Sequence, residues 1–384
     1  MQICICRDRV EYKKLGDIAT YINGYAFKPE QRGSEGLPII RIQDLTGNAY
    51  DLGYYDGDYP KKIELNDGDV LISWSASLGV YLWNRGKALL NQHIFKVVFD
   101  KVEIDKFYFM YAVEYNLDKM SLKTHGATMK HITKKDFDNV VIPYPDLDYQ
   151  KEISYRLTSL KGIIEKYQEQ LELLGELVKA RFVEMFGDPM INPYGWKVIN
   201  ISEVLRAKAS NGFFSRRDDY CDDGNVWVLG VANIVNRMYS QINDLPRTNA
   251  NEKDIEKFEV KYGDMLFCRS SLVAEGIGKA SIIPEGAPAN ILFECHVIRL
   301  PLDLDKCVPE FLQTLSTTKF FRNQVISKAK TATMTTIGQD GILKTDIILP
   351  PLEKQREYYD FIKQIDKSRL LSNHSLFLLK SMIF

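Results

Sequence analysis

Residues that could carry out catalysis are few in this sequence, and they do not assemble into a site. Asp254, Glu259 and Lys261 follow the loose Asp…Glu-x-Lys pattern of nucleases, but the related segment Glu64–Asn66 has no lysine. Asn192–Tyr194 partly matches the Asn/Asp-Pro-Pro-Tyr motif of amino-methyltransferases, yet it lacks the second proline, and no glycine-rich cofactor loop precedes it. The sequence therefore predicts a chain that does not itself catalyse a reaction.

Nucleotide-binding and metal-binding motifs are also missing from the sequence. Gly276-Ile277-Gly278 is a lone GxG, and no GxxxxGK[ST] stretch occurs. His93 and His296 occupy matching positions without a second ligand nearby, which favours hydrogen-bonded histidines at strand edges over metal ligands. The six cysteines form no CxxC pair, so we expect a reduced, cytoplasmic protein with no metal. Neither a signal peptide nor an apolar run of membrane-spanning length is predicted.

The composition is that of an ordinary globular protein large enough for two or three domains. Hydrophobic residues make up 45% of the 384 residues, and charged residues make up 26%. The formal net charge is −1. Because binding to phosphates depends on local clusters of Lys and Arg, this total neither supports nor excludes a nucleic-acid partner.

The chain contains an internal duplication. Ala127–Glu152 aligns without a gap with Ala332–Glu357, and the two segments share more residues than chance predicts. The identical pairs include Ile132/Ile337, Ile142/Ile347, Pro145/Pro350, Leu147/Leu352, Gln150/Gln355 and Glu152/Glu357. Looser matches precede them in the same order: Asn23–Phe27 with Asn211–Ser215, Leu37–Asp44 with Val226–Asn233, and Glu64–Ile72 with Glu259–Phe267. The sequence thus encodes two copies of one module.

Each module has the pattern of a small α/β (α+β) domain. Short β-branched and aromatic runs such as Leu37–Ile42, Val70–Trp74 and Ile94–Phe99 are separated by Gly-Asp and Asn-Gly turns, which predicts strands. Lys106–Tyr115 and Glu310–Gln324 carry aromatic residues at helical spacing. We therefore expect strands to dominate each module, with one or two helices.

A long helix is predicted after each module. Apolar residues repeat at alternating four- and three-residue spacing, which is the heptad pattern of a coiled coil. In the first helix this seam is Ile153, Leu157, Leu160, Ile164, Tyr167, Leu171, Leu174 and Val178, and in the second it is Tyr358, Ile362, Ile365, Leu376, Leu379 and Ile383. One such helix cannot bury its seam alone, so we predict that the two pair in antiparallel orientation. The alternative is that each helix covers the sheet of its own domain. The predicted boundaries are 1–147 and 188–351 for the modules, and 148–187 and 352–384 for the helices.

The chain resembles the specificity subunit of type I restriction–modification systems. The resemblance rests on the order and duplication of several motifs rather than on any single one. They are Lys14–Ile18, Asn23–Phe27, Gly68–Ile72, Pro145–Gln150, Met185–Pro189, Asn192–Trp196, Gly263–Leu266 and Pro350–Gln355. It implies two target-recognition domains that each read half of a gapped double-stranded DNA site, with helices that set the gap and pair or dock subunits. It further implies assembly with two adenine-N6 methyltransferase subunits and with motor-nuclease subunits. S-adenosylmethionine, ATP and magnesium would then belong to those partners, with no cofactor in this chain.

Candidate DNA contacts follow from the duplication. Positions that stay polar in both modules while their identity varies are the best predictors of base reading, which needs hydrogen-bonding side chains on loops. In the first module these are Lys28, Arg41, Gln43, Ser75, Ser77 and Lys130. In the second they are Arg216, Arg217, Asn233, Arg237, Arg269, Ser270, Ser271 and Thr335. The repeated Ala-Thr-Met at 127–129 and 332–334 is expected to hold a loop or contact phosphate.

Two other classes of protein stay open from the sequence alone. One is an enzyme that fuses recognition to methylation or cleavage, which requires a cofactor or metal site. The other is a protein-interaction scaffold without DNA binding, which the near-neutral charge permits.

Overall fold

The computed structural model describes residues 10–48, 51–123, 133–331 and 334–383. These residues fall into two compact units, 1–164 and 165–382. None of the helices in the described ranges combines the length and apolar character that a membrane-spanning segment needs.

In its described residues, the first unit contains ten strands and four short or medium helices, followed by the first part of a long helix. In chain order they are β1 (Glu11–Lys14), α1 (Leu15–Ile18), β2 (Thr20–Asn23), β3 (Leu37–Ile40), α2 (Ile42–Thr46), β4 (Tyr54–Tyr55), β5 (Glu64–Leu65), β6 (Val70–Ser73), β7 (Gly79–Leu82), β8 (Ala88–Leu90), β9 (Ile94–Val98), α3 (Lys106–Lys123), α4 (Lys134–Asp138), β10 (Val141–Tyr144) and α5 (Leu147–Phe186). The second unit begins within α5, at residue 165.

The second unit has a similar succession of strands and helices, with two more strands among its described residues and a second long helix. Its elements after α5 are β11 (Lys197–Asn200), β12 (Ser210–Asn211), β13 (Val226–Leu229), β14 (Arg247–Thr248), α6 (Glu252–Phe258), β15 (Asp264–Cys268), β16 (Ser270–Ser271), β17 (Ala280–Ile282), β18 (Ile291–Phe293), β19 (Val297–Pro301), α7 (Pro309–Thr317), α8 (Lys319–Ser327), β20 (Lys330–Thr331), β21 (Thr335–Thr336), α9 (Gln339–Leu343), β22 (Asp346–Leu349) and α10 (Leu352–Ile383).

The two units share the topology of their main sheet and the pairing of first and last strands, which confirms the predicted duplication and the mixed α/β class. A four-stranded antiparallel sheet has the order β2-β9-β6-β7 in the first unit and β12-β19-β15-β17 in the second. A second sheet, β4-β3-β8-β5 or β14-β13-β18, contains one parallel pair in each unit. The first strand of each module pairs with its last, β1 with β10 and β11 with β22. The chain of each module therefore returns to its starting point just before the long helix begins.

A glycine allows the same close backbone approach in both units. A Cβ on Gly24 would lie 1.9 Å from the carbonyl oxygen of Asn91, and one on Gly212 would lie 2.2 Å from that of Glu294. Both positions bring two backbones so close that only glycine fits. This explains the glycine of the Asn-Gly pair that both modules share.

The two repeated glutamines fasten the long helices to their modules. The buried Gln150 side chain accepts a hydrogen bond from the Asp105 backbone N–H (2.9 Å) and donates one to the Pro145 carbonyl (2.7 Å). Gln355, also buried, accepts from the Val308 N–H (2.9 Å) and donates to the Pro350 carbonyl (2.8 Å). Each amide therefore joins the first turn of α5 or α10 to the start of the helix region of its own module.

Within the second unit, α5 and α10 run antiparallel, as predicted. Arg181 lies 3.6 Å from Glu357, whereas Gly175, earlier in α5, lies beside Arg369, later in α10. The core of this unit combines Phe182 and Phe186 of α5 with Tyr358, Ile362 and Ile365 of α10 and with residues of the module. In this unit the helices therefore pair with one another, as predicted, and both also pack against the second module, which is the module that α10 follows but not the one that α5 follows.

The structure corrects two details of the sequence interpretation. The segment Glu310–Gln324 is two helices rather than one, because Thr318 ends α7 and caps α8 by accepting a hydrogen bond from the Phe321 N–H. His93 is not a satisfied strand-edge residue. It sits in the turn before β9 with φ of 72°, and its buried Nδ1 has no hydrogen-bond partner among the described residues.

Candidate nucleic-acid interface

The second module brings four of its predicted DNA contacts together. Ser270 and Ser271 form β16, which pairs with β21 at Thr336 and Thr335. Arg269 precedes them, and its Nη1 donates to the Cys295 carbonyl at 3.2 Å. Thr335 is buried and its hydroxyl lies 3.1 Å from that of Thr331, so it supports the small sheet β16-β21-β20. The half-buried arginine and serines form the core of what we call the β16 cluster, residues 269–271 with Thr335.

A histidine and an exposed loop lie next to the β16 cluster, and neither was predicted from the sequence as a DNA contact. His296 Nδ1 lies 3.2 Å from the Ser270 hydroxyl. Leu272 and Val273, which follow β16 directly, are 83% and 59% exposed. Apolar side chains in protein–DNA interfaces contact the methyl group of thymine, so an exposed leucine beside polar candidates fits such a surface. Its position next to Arg269–Ser271 was the signal in the sequence.

The first module presents a different side chain at the equivalent place. The backbone N–H of Trp74 donates to the His93 carbonyl (3.3 Å), and the backbone N–H of Arg269 donates in the same way to the His296 carbonyl (2.8 Å). Trp74 and Arg269 therefore occupy the same position of the shared fold, with Ser75 matching Ser270. The Trp74 ring contacts His93 and stacks on Phe95 with centroids 5.6 Å apart. One frame thus carries an indole in one module and a guanidinium in the other.

The other candidates of the first module divide into exposed and internal side chains. Lys28, Gln43 and Ser77 are exposed, whereas Ser75 is buried. Arg41 is 11% exposed and forms an ion pair with Asp44 at 3.0 Å. The hydrogen bond with Asp44 is the main cause that raises the pKa of Arg41. Its donors are largely used inside the module, while Lys130 lies outside the described residues.

The remaining candidates of the second module lie apart from β16 in sequence. Asn233 accepts a hydrogen bond from the Gly230 N–H at 3.0 Å and so caps the short turn 231–233, just as Asp44 accepts from the Arg41 N–H. Arg216 is exposed, and Arg237 is exposed with one hydrogen bond to the Ala232 carbonyl at 3.4 Å. The backbone of Arg217 lies in the turn 217–219, and its side chain is outside the described set.

The residues with apparent catalytic spacing have structural partners. Glu259 accepts from the Asn290 N–H (3.0 Å), which lowers the pKa of the carboxyl, and lies 3.3 Å from Lys261. Asp254 is held by its helix cap, accepting from the Asn251 side chain at 2.7 Å. Across the described ranges, no three histidine, cysteine or carboxylate side chains group closely enough to hold a metal ion.

Hydrogen bonds from Asn192 and Tyr194 hold the loop that follows α5. The Asn192 side chain accepts from the Trp196 N–H (2.9 Å) and donates to the Trp196 carbonyl (2.8 Å). The Tyr194 hydroxyl donates to the Glu184 carbonyl at 3.3 Å. These bonds explain the motif by the end of the helix and the turn that follows. Cys221, Cys268, Cys295 and Cys307 are all free thiols, while Cys4 and Cys6 fall outside the described part of the chain.

Known proteins share this architecture. Two solved chains resemble it over nearly their full length: the S subunit of a type I restriction–modification system from M. genitalium, and a chain from a structural study of complex assembly and conformational transition in the type I R-M system. The first has a TM-score of 0.57 and 12% identity, covering 99% of this chain and 95% of that one. The second has a TM-score of 0.56 and 16% identity, covering 98% and 96%. These likenesses establish the fold.

Sequence comparison identifies the family. The type I restriction enzyme EcoBI specificity subunit of Escherichia coli is 22% identical over 91% of this chain and 78% of its own length. The MjaVIII specificity subunit of Methanocaldococcus jannaschii is 23% identical over 93% and 86%. The family model for the type I restriction modification DNA specificity domain matches twice, at residues 7–174 and 193–376, one match for each module. The chain therefore belongs to the type I restriction–modification DNA specificity family and is a non-catalytic specificity subunit.

Proposed function

We propose that each module of this subunit reads one half of a gapped DNA site, and that the long helices set the distance between the halves. The observation that carries this proposal is the position shared by Trp74 and Arg269. The same backbone hydrogen bond holds both residues, yet the first module carries there an indole that stacks on Phe95 and the second a guanidinium. Two copies of one fold that carry different side chains at an equivalent position suit the recognition of two different half-sites better than of one repeated half-site.

We also propose that the helices dock two methyltransferase subunits, which recruit motor-nuclease subunits. The first half of the α10 seam, Tyr358, Ile362 and Ile365, is buried in the second unit, so we place the docking surface elsewhere on the helix. A second apolar stripe on α10 is exposed instead, with Leu370 at 71% and Phe377 at 70%. The stripe continues through Leu371, Leu378 and Met382, and α5 exposes Leu173 and Leu177. Apolar helix faces of this kind suit helices of a partner.

The cofactors follow from this division of labour. S-adenosylmethionine, ATP and magnesium would be bound by the partner subunits, and the assembly would act on chromosomal and invading DNA in the cytoplasm. This chain would recognise the DNA sequence, and the partner subunits would catalyse the reactions.

The proposal is tested with the subunit purified together with its methyltransferase partner. Sequencing the methylated adenines of a host that carries both genes should reveal one gapped motif with two different halves. Exchanging residues 188–351 for the module of a relative should change one half of that motif and leave the other unaltered. A motif without a gap, or an exchange that alters both halves, would contradict the half-site assignment.

The helix roles have their own test. Inserting seven residues near Leu171 adds two helical turns and should lengthen the gap of the methylated motif, while Phe377→Asp should weaken methyltransferase assembly. Leu160→Asp, in the pairing seam of α5, should likewise alter the gap or weaken assembly, measured by the same two assays. If assembly is intact and no duplex binds in a salt-dependent manner, the chain acts as a protein scaffold instead.

A further inference from the structure

The second unit contains an open cavity of about 780 Å³ between the helix pair and the second module. Its lining includes Lys179 of α5, Arg322 of α8 and Arg369 of α10, together with Arg237 and Lys279 of the module. Asp366 is the one carboxylate among the described residues that line it. Five cationic side chains from different elements therefore converge on one space, in a chain whose formal net charge is −1.

Most of these cations lack a carboxylate partner. Asp366 is committed to Arg369, at 3.4 Å. Within the described ranges the other four form no ion pair. Lys279 donates to the Asn236 side chain at 2.7 Å and Arg237 to the Ala232 carbonyl at 3.4 Å, both neutral acceptors. Clustered like charges repel one another unless an anion lies among them, so the cavity has the electrostatics of an anion site.

One donor of the Arg322 guanidinium lacks a hydrogen-bond partner among the described residues, which favours a bound anion. Its Nη2 donates to the Glu275 carbonyl at 2.9 Å, but its Nη1 is buried and has no hydrogen-bond partner among the described residues. Burial also lowers the pKa of this guanidinium. Buried donors are nearly always paired, and a charged acceptor makes the strongest partner for a guanidinium.

The cavity adjoins the β16 cluster. Arg322 holds the carbonyl of Glu275 in the short helical turn 274–276, and Gly276 of that turn packs directly against the Ser271 side chain. Arg237, a candidate DNA contact, lines the cavity itself. The turn 274–276 therefore connects the cavity lining to the serines proposed to read the second half-site.

We propose that the cationic cavity binds a phosphate group of the DNA backbone and so fixes the register of the second half-site without reading bases. This inference rests on the proposed DNA-reading function. Phosphate contacts commonly position a protein on the duplex while base contacts supply specificity.

The test removes two cations that have little structural role. Lys179 is exposed and Lys279 bonds a neutral loop side chain, so Lys179→Gln with Lys279→Gln should leave the melting temperature unaltered. Affinity of the subunit in its methyltransferase complex is measured across a salt series, for duplexes with and without the methylated motif. The slope of log affinity against log salt should shrink by about 0.9 to 1.8, and affinity should fall roughly tenfold for both duplexes alike.

Lys197→Gln with Lys253→Gln is the matched control, since both lysines are exposed, belong to the same unit and lie outside the cavity lining. An equal loss in the control would assign the effect to net charge and overturn the proposal. An unaltered slope in the cavity variant would overturn it too, as would loss of pyrophosphate binding with unaltered DNA binding, which indicates a site for free phosphate compounds. Failure of the wild-type complex to bind any duplex would instead refute the proposed function.

Discussion

Gln355→Leu is expected to loosen the start of α10 from the second module. Leucine fills a similar volume but can neither accept from the Val308 N–H nor donate to the Pro350 carbonyl, the two bonds that Gln355 makes at 2.9 and 2.8 Å. Gln355 is fully buried, so water does not replace either bond. Leaving a buried backbone group unpaired costs about 1–3 kcal/mol, which gives roughly 2–6 kcal/mol for the two groups.

Hydrogen exchange at the Val308 amide measures this loss locally, which matters because a chain of two compact units need not unfold in a single step. Protection should fall by a factor of about 30 or more, since each 1.4 kcal/mol corresponds to tenfold. Gln150→Leu should act in the same way at the Asp105 amide. The control is Gln364→Leu, an exposed position of α10. If the loss at Val308 does not exceed that of the control, or if only one of the two repeats responds, the proposed fastening role is wrong.

Two further predictions concern stability. Burial raises the pKa of Glu310 from 4.5 to about 7, so the folded state keeps a proton that the unfolded state has already lost. Wild type should therefore lose roughly 3 kcal/mol of stability relative to Glu310→Gln as pH rises from about 4 to 8, measured by urea unfolding at each pH, and parallel curves would contradict the assignment. Gly24→Ala should destabilise the first unit by about 1–3 kcal/mol, because its Cβ would meet the Asn91 carbonyl at 1.9 Å. By contrast, Gly162→Ala in the open face of α5 should stabilise the helix by roughly 0.5–1 kcal/mol, and thermal melts that reverse this order would refute the argument.

The long helices and the duplication could be predicted because their signals are local and repeated. The heptad seam predicted a helix over 148–187, and the structure has α5 at Leu147–Phe186. Gln150 and Gln355 stood out as identities at equal positions, and each makes the same two bonds. The break at Thr318 escaped prediction because apolar periodicity continues across it, while a single side-chain cap decides where the helix ends.

The candidate interface was less accessible from sequence. Polarity shows that a side chain can form hydrogen bonds, but it does not show whether the fold already uses them. Arg41 and Asn233 have the right chemistry for reading bases, yet the first is paired with Asp44 and the second caps a turn. Thr335 is buried. Conversely, Leu272 and Arg322 were not predicted. The place of Leu272 beside Arg269–Ser271 was a signal, but its exposure and the unpaired, buried Nη1 of Arg322 are properties of the folded chain.

The duplication constrains where specificity can evolve in such a subunit. Positions such as Gly24 and Gly212, or Gln150 and Gln355, are fixed by close backbone contact and buried bonds, so substitutions there are costly in either module. The position of Trp74 and Arg269 is set by the same backbone hydrogen bond in both modules, and it accommodates an indole stacked on Phe95 in one and a guanidinium bonded to the Cys295 carbonyl in the other. Because a backbone hydrogen bond sets this position, the side chain there can differ between the modules. That separation allows one module to acquire a new half-site without disturbing the helix to which it is fastened.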